Sequence, residues 1–356
     1  MRSLVLLCFV AAPLLEAQVK NVLVYREPGR FGGWPANHGI WIWGNEILVG
    51  YSAAWFEATK DDRHAMNRSK PEEPRLARSL DGGDTWQWEI PRGLLPPEQG
   101  GRAPTDLPAA LDFQAPGFVM TIRFTNIHTG PSHLYFSYDK GKTWSGPHKF
   151  PLFGQKGVAA RTDYIVNGRR DCLVFLTASK ANGREGRPFA ARTTDGGKTW
   201  KFVSWIGDEP AGFAIMPSTV RLGPRALLTT IRHKEEPENW IDAYRSDDDG
   251  ASWKWLGKAA DTGKASGNPP STVRLRDGRI VMTYGYRDVP ASMRARVSAD
   301  GGTTWGPVIK LREDGDAWDI GYPRSVQRAD GKVVTVYYFT DDRNTERFIA
   351  ASIWEP

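Results

Sequence analysis

Seven side chains in this 356-residue sequence could take part in chemistry: Arg232, Arg287, Arg324, His38, Tyr322, Asp106 and Asp163. Guanidinium forks grip carboxylates bidentately, so three converging arginines would recognise an acidic ligand. Arg123 and Asn268 add a further cation and an amide suited to the same ligand. His38 supplies a base or acid near neutral pH, and Tyr322 with Asp106 or Asp163 forms an alternative nucleophile-and-acid set. Each arginine could instead be a surface cation paired with a nearby acid, as Arg287 with Asp288, and His38 could be a strand-start residue bonded into the scaffold. HExxH, paired-cysteine, Walker and nucleophile-elbow motifs are all missing, so neither a metal nor a cofactor is expected.

What must position these residues is a repeat. Ser79 to Trp86 reads SLDGGDTW, a turn in which Ser and Asp bond their own backbone and the glycines are free to take positive φ. Four copies follow, Ser137 to Trp144, Thr193 to Trp200, Ser246 to Trp253 and Ser298 to Trp305, placing Asp81, Asp139, Asp195, Asp248 and Asp300 at one position in five units. Successive box tryptophans, 86, 144, 200, 253 and 305, are 58, 56, 53 and 52 residues apart. That period predicts four-stranded propeller blades, with the aspartates structural and the tryptophans packing between blades.

The S-x-D-x-G-x-T-W pattern resembles the Asp box, or BNR repeat, of the sialidase superfamily. The resemblance implies an all-β, six-bladed β-propeller, with the box joining the third and fourth strands of a blade on the face opposite the active site. It also implies an exo-acting glycosidase of the exo-alpha-sialidase class.

A second repeat marks the inner strands. Pro217 to Leu222 (PSTVRL) recurs word for word at Pro270 to Leu275, and Pro323-Arg324-Ser325-Val326 follows. Inner strands are expected near Gly39 to Trp43, Ala109 to Phe113, Tyr164 to Asn167, Ser218 to Leu222, Thr272 to Leu275 and Ser325 to Gln327. The last unit, ending at Ile349 to Trp354, lacks a box, and Asn21 to Tyr25 is expected to supply its missing strand and close the ring. The strand starts and the loops bearing Arg123, Lys180, Arg184, Arg232, Arg287 and Tyr338 then share one face, with the charged Trp55 to Arg75 insertion as a wall.

The chain departs from sialidases at the first strand, where an Arg-Ile-Pro-type motif would stand. It carries Gly33 to Gly39 (GWPANHG) instead, so His38 occupies the expected place of the first arginine. This is similar to a branch of the superfamily that acts on L-rhamnosyl-glucuronate with an axial histidine, as hydrolase or lyase. A glycan-binding propeller without catalysis shares the same fold.

Residues 1–17, Met1-Arg2 and an apolar run ending Glu16-Ala17, read as a signal peptide, so the propeller is expected over 18–356 in a secreted or periplasmic protein. Cys8 falls in that segment, which leaves Cys172 as a small core residue. A net charge of +6 favours anionic partners. The expected partner is an acidic oligosaccharide or polysaccharide bound by a monomer. Nucleic acid is not expected, because no basic run or nucleic-acid module is present, and no stretch is long enough for a membrane span.

Overall fold

The computed structural model describes residues 19–60 and 63–356, so the expected signal peptide lies outside the described residues. The described chain is all-β and propeller-like, without an α-helix and with only three 3-10 turns. Strand β1 (Lys20–Tyr25) precedes a five-stranded sheet of β2 (Arg30–Gly33), β3 (Ile40–Trp43), β4 (Glu46–Trp55), β5 (Glu73–Ser79) and β6 (Gln87–Glu89), with β2 and β3 both paired to β4. A three-stranded sheet follows: β7 (Val119–Phe124), β8 (Ser132–Ser137) and β9 (Ser145–Lys149). Two four-stranded sheets come next. The first holds β10 (Tyr164–Gly168), β11 (Asp171–Ser179), β12 (Glu185–Thr193) and β13 (Lys201–Trp205); the second holds β14 (Phe213–Arg221), β15 (Leu227–Glu235), β16 (Glu238–Ser246) and β17 (Lys254–Asp261).

The last sheet has eight strands: β18 (Ser271–Arg274), β19 (Ile280–Tyr286), β20 (Ala291–Ser298), β21 (Ile309–Gly315), β22 (Gly321–Gln327), β23 (Val333–Asp341), β24 (Asn344–Trp354) and the N-terminal β1. Its two halves meet through one pair, Gly315 with Asp341, whereas β1 lies antiparallel along β24 from Lys20 opposite Ile353 to Tyr25 opposite Ile349.

Each box joins the last two strands of its unit, as in β5 to β6 and β8 to β9. Its aspartate accepts the backbone N–H four residues on at 2.9 Å and the hydroxyl of that residue at 2.6 Å. These donors, hydroxyl first, hold Asp81, Asp248 and Asp300 down to about 2. The turns also dock one sheet on the one before it. Trp253 packs on the cluster of Leu173 and Phe175, Trp305 on that of Leu228 and Met282, and a Cβ at Gly302 would meet Leu228 at 2.5 Å.

The expected inner strand at Ala109 to Phe113 does not form. Proline stands at 104, 108 and 116, and the N–H groups of Leu111 and Phe113 go instead to the carbonyls of Gly196 and Arg169 in the next unit. Cys172 is fully buried in β11, where burial pushes its thiol well up, and it serves as core.

Because β1 pairs along one edge of β24, a chain that starts at Arg26 exposes the backbone donors and acceptors of β24. We expect it to melt well below the chain that starts at Val19 and to self-associate in gel filtration. An unchanged melting temperature would mean that β1 contributes nothing to the sheet.

Candidate active site

Inner strands of neighbouring units are tied by hydrogen bonds near the centre. The N–H of Thr272 donates to Ser218 Oγ at 2.9 Å, and that of Ser325 to Ser271 Oγ at 2.9 Å. One unit earlier, Thr219 donates its N–H to Asp163 at 3.3 Å and its hydroxyl at 2.9 Å. Asp163 therefore fills the role of Ser218 and Ser271. The residue at the same position of the next word, Arg324, is buried and reaches the carbonyls of Ala36 at 2.5 Å and Thr162 at 2.6 Å.

Beside this latch opens a cleft of about 720 Å³. Arg232, Arg287 and Tyr322 line it, and the insertion contributes Arg63, His64, Met66 and Arg68 as the expected wall. Tyr322 sits in a bulge where β22 slips register between Gly321 and Arg324, with φ of 49°. Trp34 (58°), His64 (46°) and Ser266 (64°) also take left-handed φ on the cleft wall, so four of the eight such non-glycine residues among the described residues are here. Backbone strain concentrated in one place points to a functional site.

Asn268 holds the bulge. Its buried amide accepts the N–H of Tyr322 at 3.0 Å and of Gly285 at 3.1 Å and donates to the Ile320 carbonyl at 2.8 Å, in space that Gly285 and Gly321 leave open. It thus positions Tyr322, with its amide oxygen and nitrogen both already bonded within the protein.

The Tyr322 hydroxyl accepts from Arg232 Nη1 at 3.0 Å, and the Arg287 guanidinium lies 5.4 Å from its ring. Arg287 is committed to the Ile320 carbonyl, Asp319 and Tyr338, the last at 2.6 Å. Asp319 is fully buried and accepts from Tyr338 at 2.6 Å and from the N–H of His64 at 2.7 Å. Burial would raise this carboxyl, but His64, Arg287 and Tyr338 outweigh it and leave it well below the usual carboxylate range.

His38 and Arg123 line a smaller chamber of about 300 Å³ instead, which shares Asn37, Glu72 and Phe124 with the cleft. His38 Nε2 is 3.0 Å from Ser52 Oγ, and burial first, then Arg123 and Arg324, keep the imidazole neutral with its pKa well below the ordinary value. Burial raises the Glu72 carboxyl against the pull of Ser52 and Arg68. Asp106 lies elsewhere, 83% exposed and paired with Lys149 at 3.1 Å.

The family model of the BNR repeat-like domain matches residues 53–335. The chain belongs to the BNR repeat-like family. Its fold is that of the sialidase-like superfamily. Among solved structures, this BNR repeat-like chain is similar to a protein of unknown function from Dyadobacter fermentans (21% identity, TM-score 0.73, 96% of this chain and 100% of that one). It is also similar to a Trypanosoma rangeli sialidase mutant displaying trans-sialidase activity (13%, 0.56, 94% and 58%) and to an alpha-L-arabinofuranosidase of Fusarium graminearum (13%, 0.60, 95% and 98%). At these identities the likeness concerns the fold alone. No curated protein matches the BNR repeat-like chain.

Sequence reasoning singled out Tyr322, Arg232 and Arg287, which the fold brings together, but passed over His64, Glu72 and Asp319. His64 and Glu72 lie in the insertion named as a wall, where charge alone does not distinguish them. Asp319 meets its partner His64 across 255 residues, so no local pattern announces it.

Burial pushes the Asp163 carboxyl up to about 7, against Arg324 and the Thr219 donors. Its folded pKa exceeds its unfolded one, so its contribution to stability is full below about 4 and is lost as pH rises through about 7. D163N removes this titration. Its melting temperature minus that of wild type should therefore climb between pH 5 and 8, and a flat difference would mean that burial does not raise this carboxyl.

Proposed function

We propose that this protein is an exported, monomeric, exo-acting glycoside hydrolase of the sialidase superfamily that cleaves a terminal acidic saccharide in the central cleft. The charge of the cleft wall carries this reading: eight Arg and Lys side chains line it (Arg63, Arg68, Arg161, Lys180, Arg184, Arg232, Lys234 and Arg287), against the carboxylates of Glu72 and Glu185. Such a wall draws in anions and opposes neutral glycans only weakly. The similarity to a sialidase and an arabinofuranosidase makes glycoside cleavage the natural chemistry for the cleft. We read the sheets as six units in a ring, five of four strands and one, β7 to β9, of three, with β1 completing the last, because β1 pairs with β24 and Arg328 of the last unit donates to Gly82 in the first box at 3.1 Å.

In this scheme Tyr322 Oη gives its proton to water in the cleft and attacks the anomeric carbon while the glycosidic C–O bond breaks, and the departing oxygen takes the proton of Glu72, whose raised carboxyl suits it as an acid. Water then attacks the glycosyl-tyrosine and gives one proton to Glu72, and the sugar leaves as the tyrosine oxygen recovers its own proton from water. Arg232 and Arg287 fix the tyrosine from two sides. A second reading, elimination with His38 as base, is favoured by its neutral imidazole and its Nδ1, which has no partner among the described residues.

A panel of sialosides, rhamnosyl-glucuronate and ulvan-type oligosaccharides, read by product mass and by absorbance near ~235 nm, separates the two. We expect products heavier by one water with no new absorbance, and a loss of kcat of about a hundredfold or more in Y322F at unchanged melting temperature. An unsaturated product that H38A abolishes would replace hydrolysis by elimination. Binding without any product would leave a glycan-binding propeller.

A further inference from the structure

The acidic group of a ligand needs a cation whose donors the protein has not already used. In the cleft, Arg287 is spent on Asp319, Tyr338 and Ile320, and Arg232 on Tyr322 and the Ser266 carbonyl. Arg161 forms a two-point pair with Glu185, at 2.8 and 3.2 Å. Arg324, outside the cleft, is spent on two carbonyls. Arg123 differs. It is half-buried in the side chamber, lies 5.9 Å from the Tyr135 ring and has no carboxylate partner among the described residues.

The rest of the chamber is similarly unsatisfied. Asn37 Oδ1, His38 Nδ1, Gln99 Oε1 and Arg123 Nε are all buried there without a hydrogen-bond partner among the described residues, although buried polar groups are nearly always paired. Burial draws Arg123 down to about 10, the cost of a cation held without an anion. Two amide oxygens call for hydroxyl donors, and the guanidinium calls for an anionic acceptor. About 300 Å³, walled by Leu94, Pro96 and Tyr135, is the lower end of the size of small-molecule sites.

We propose that this chamber is a binding site for a hydroxylated carboxylate, the chemistry of a sugar acid, with the carboxylate on Arg123 and hydroxyls on Asn37 and Gln99. The inference rests on the acidic-saccharide reading and moves the acidic group from the cleft arginines into the side chamber, which opens beside the cleft at Asn37, Glu72 and Phe124. The site takes the acid either as a free molecule or as one residue of a longer chain, and open-chain and ring acids distinguish the two.

Calorimetric titration of the full protein with D-glucuronate, D-gluconate, D-glucose and acetate tests this. We expect glucuronate to bind at least about tenfold more tightly than glucose or acetate, R123M to erase that preference, and R232M to leave it in place. Gluconate binding as well as glucuronate would mark a site for free acids, and weaker gluconate binding a site for a ring within a chain. Should R123M lack a cooperative melting transition, Q99L, which removes one hydroxyl partner, is expected to weaken glucuronate several-fold. No measurable acid binding, a preference that survives R123M, or one lost in R232M alone would overturn the proposal. Absence of any cleavage product across the glycan panel would sink the hydrolase reading without touching this result.

Discussion

Everything at the centre of the molecule depends on the way one inner strand hands a hydrogen bond to the next. Thr219, Thr272 and Ser325 each donate a backbone N–H to a side chain of the preceding unit, Asp163, Ser218 and Ser271 in turn. Hydroxyl pairs add to it, Thr121 with Thr162 at 2.8 Å, Thr230 with Thr272 at 2.6 Å and Thr283 with Ser325 at 2.8 Å. Units that share no ladder in this region are registered by side chains, in a low-dielectric setting where an unpaired group is costly. At Arg324 the series changes, and a long cation ties the strand to Ala36 and Thr162. A group that looks like a ligand clamp is thus a fastening between neighbouring inner segments.

The site follows from what this fastening leaves over. Two X-Pro bulges, at Met216-Pro217 and Tyr322-Pro323, interrupt the register of β14 and β22, and both residues take left-handed φ, 58° and 49°. A bulge re-aims a side chain. At Tyr322 it is held by Asn268 and delivers the phenol to Arg232. The buried ion pairs around it are poor sources of stability and good fixtures of geometry. Asp319 joins the insertion, through His64, to Arg287 and Tyr338. Most cations of the cleft are therefore engaged, with Arg68 and Arg184 exposed to water, and the half-buried cation without a carboxylate partner among the described residues lies in the chamber, at Arg123.

The boxes could be read from the sequence because the bonds that shape each turn span two to four residues, so type and spacing determine them. The same locality made the repeated PSTVRL strands legible. Ala109 to Phe113 was not, because its donors are taken by carbonyls of a different unit. Among site residues, Tyr322, Arg232 and Arg287 could be found from their equivalent places in successive units. Asp163 and Arg324 occupy equally regular places but serve the latch, and only the partner atoms distinguish the two uses. Asp106 follows a strand-start pattern that prolines disrupt, and it points to Lys149 at the rim.

The central claim is that an acidic saccharide occupies the cleft and chamber on the face away from the boxes. Amide hydrogen–deuterium exchange with and without an excess of a uronate-bearing oligosaccharide tests it most directly. Slowed exchange in 63–68, 211–213 and 318–322, with the box turns at 79–86 and 193–200 unchanged, is the expected result. Protection confined to the box turns would place the ligand on the opposite face and contradict the account.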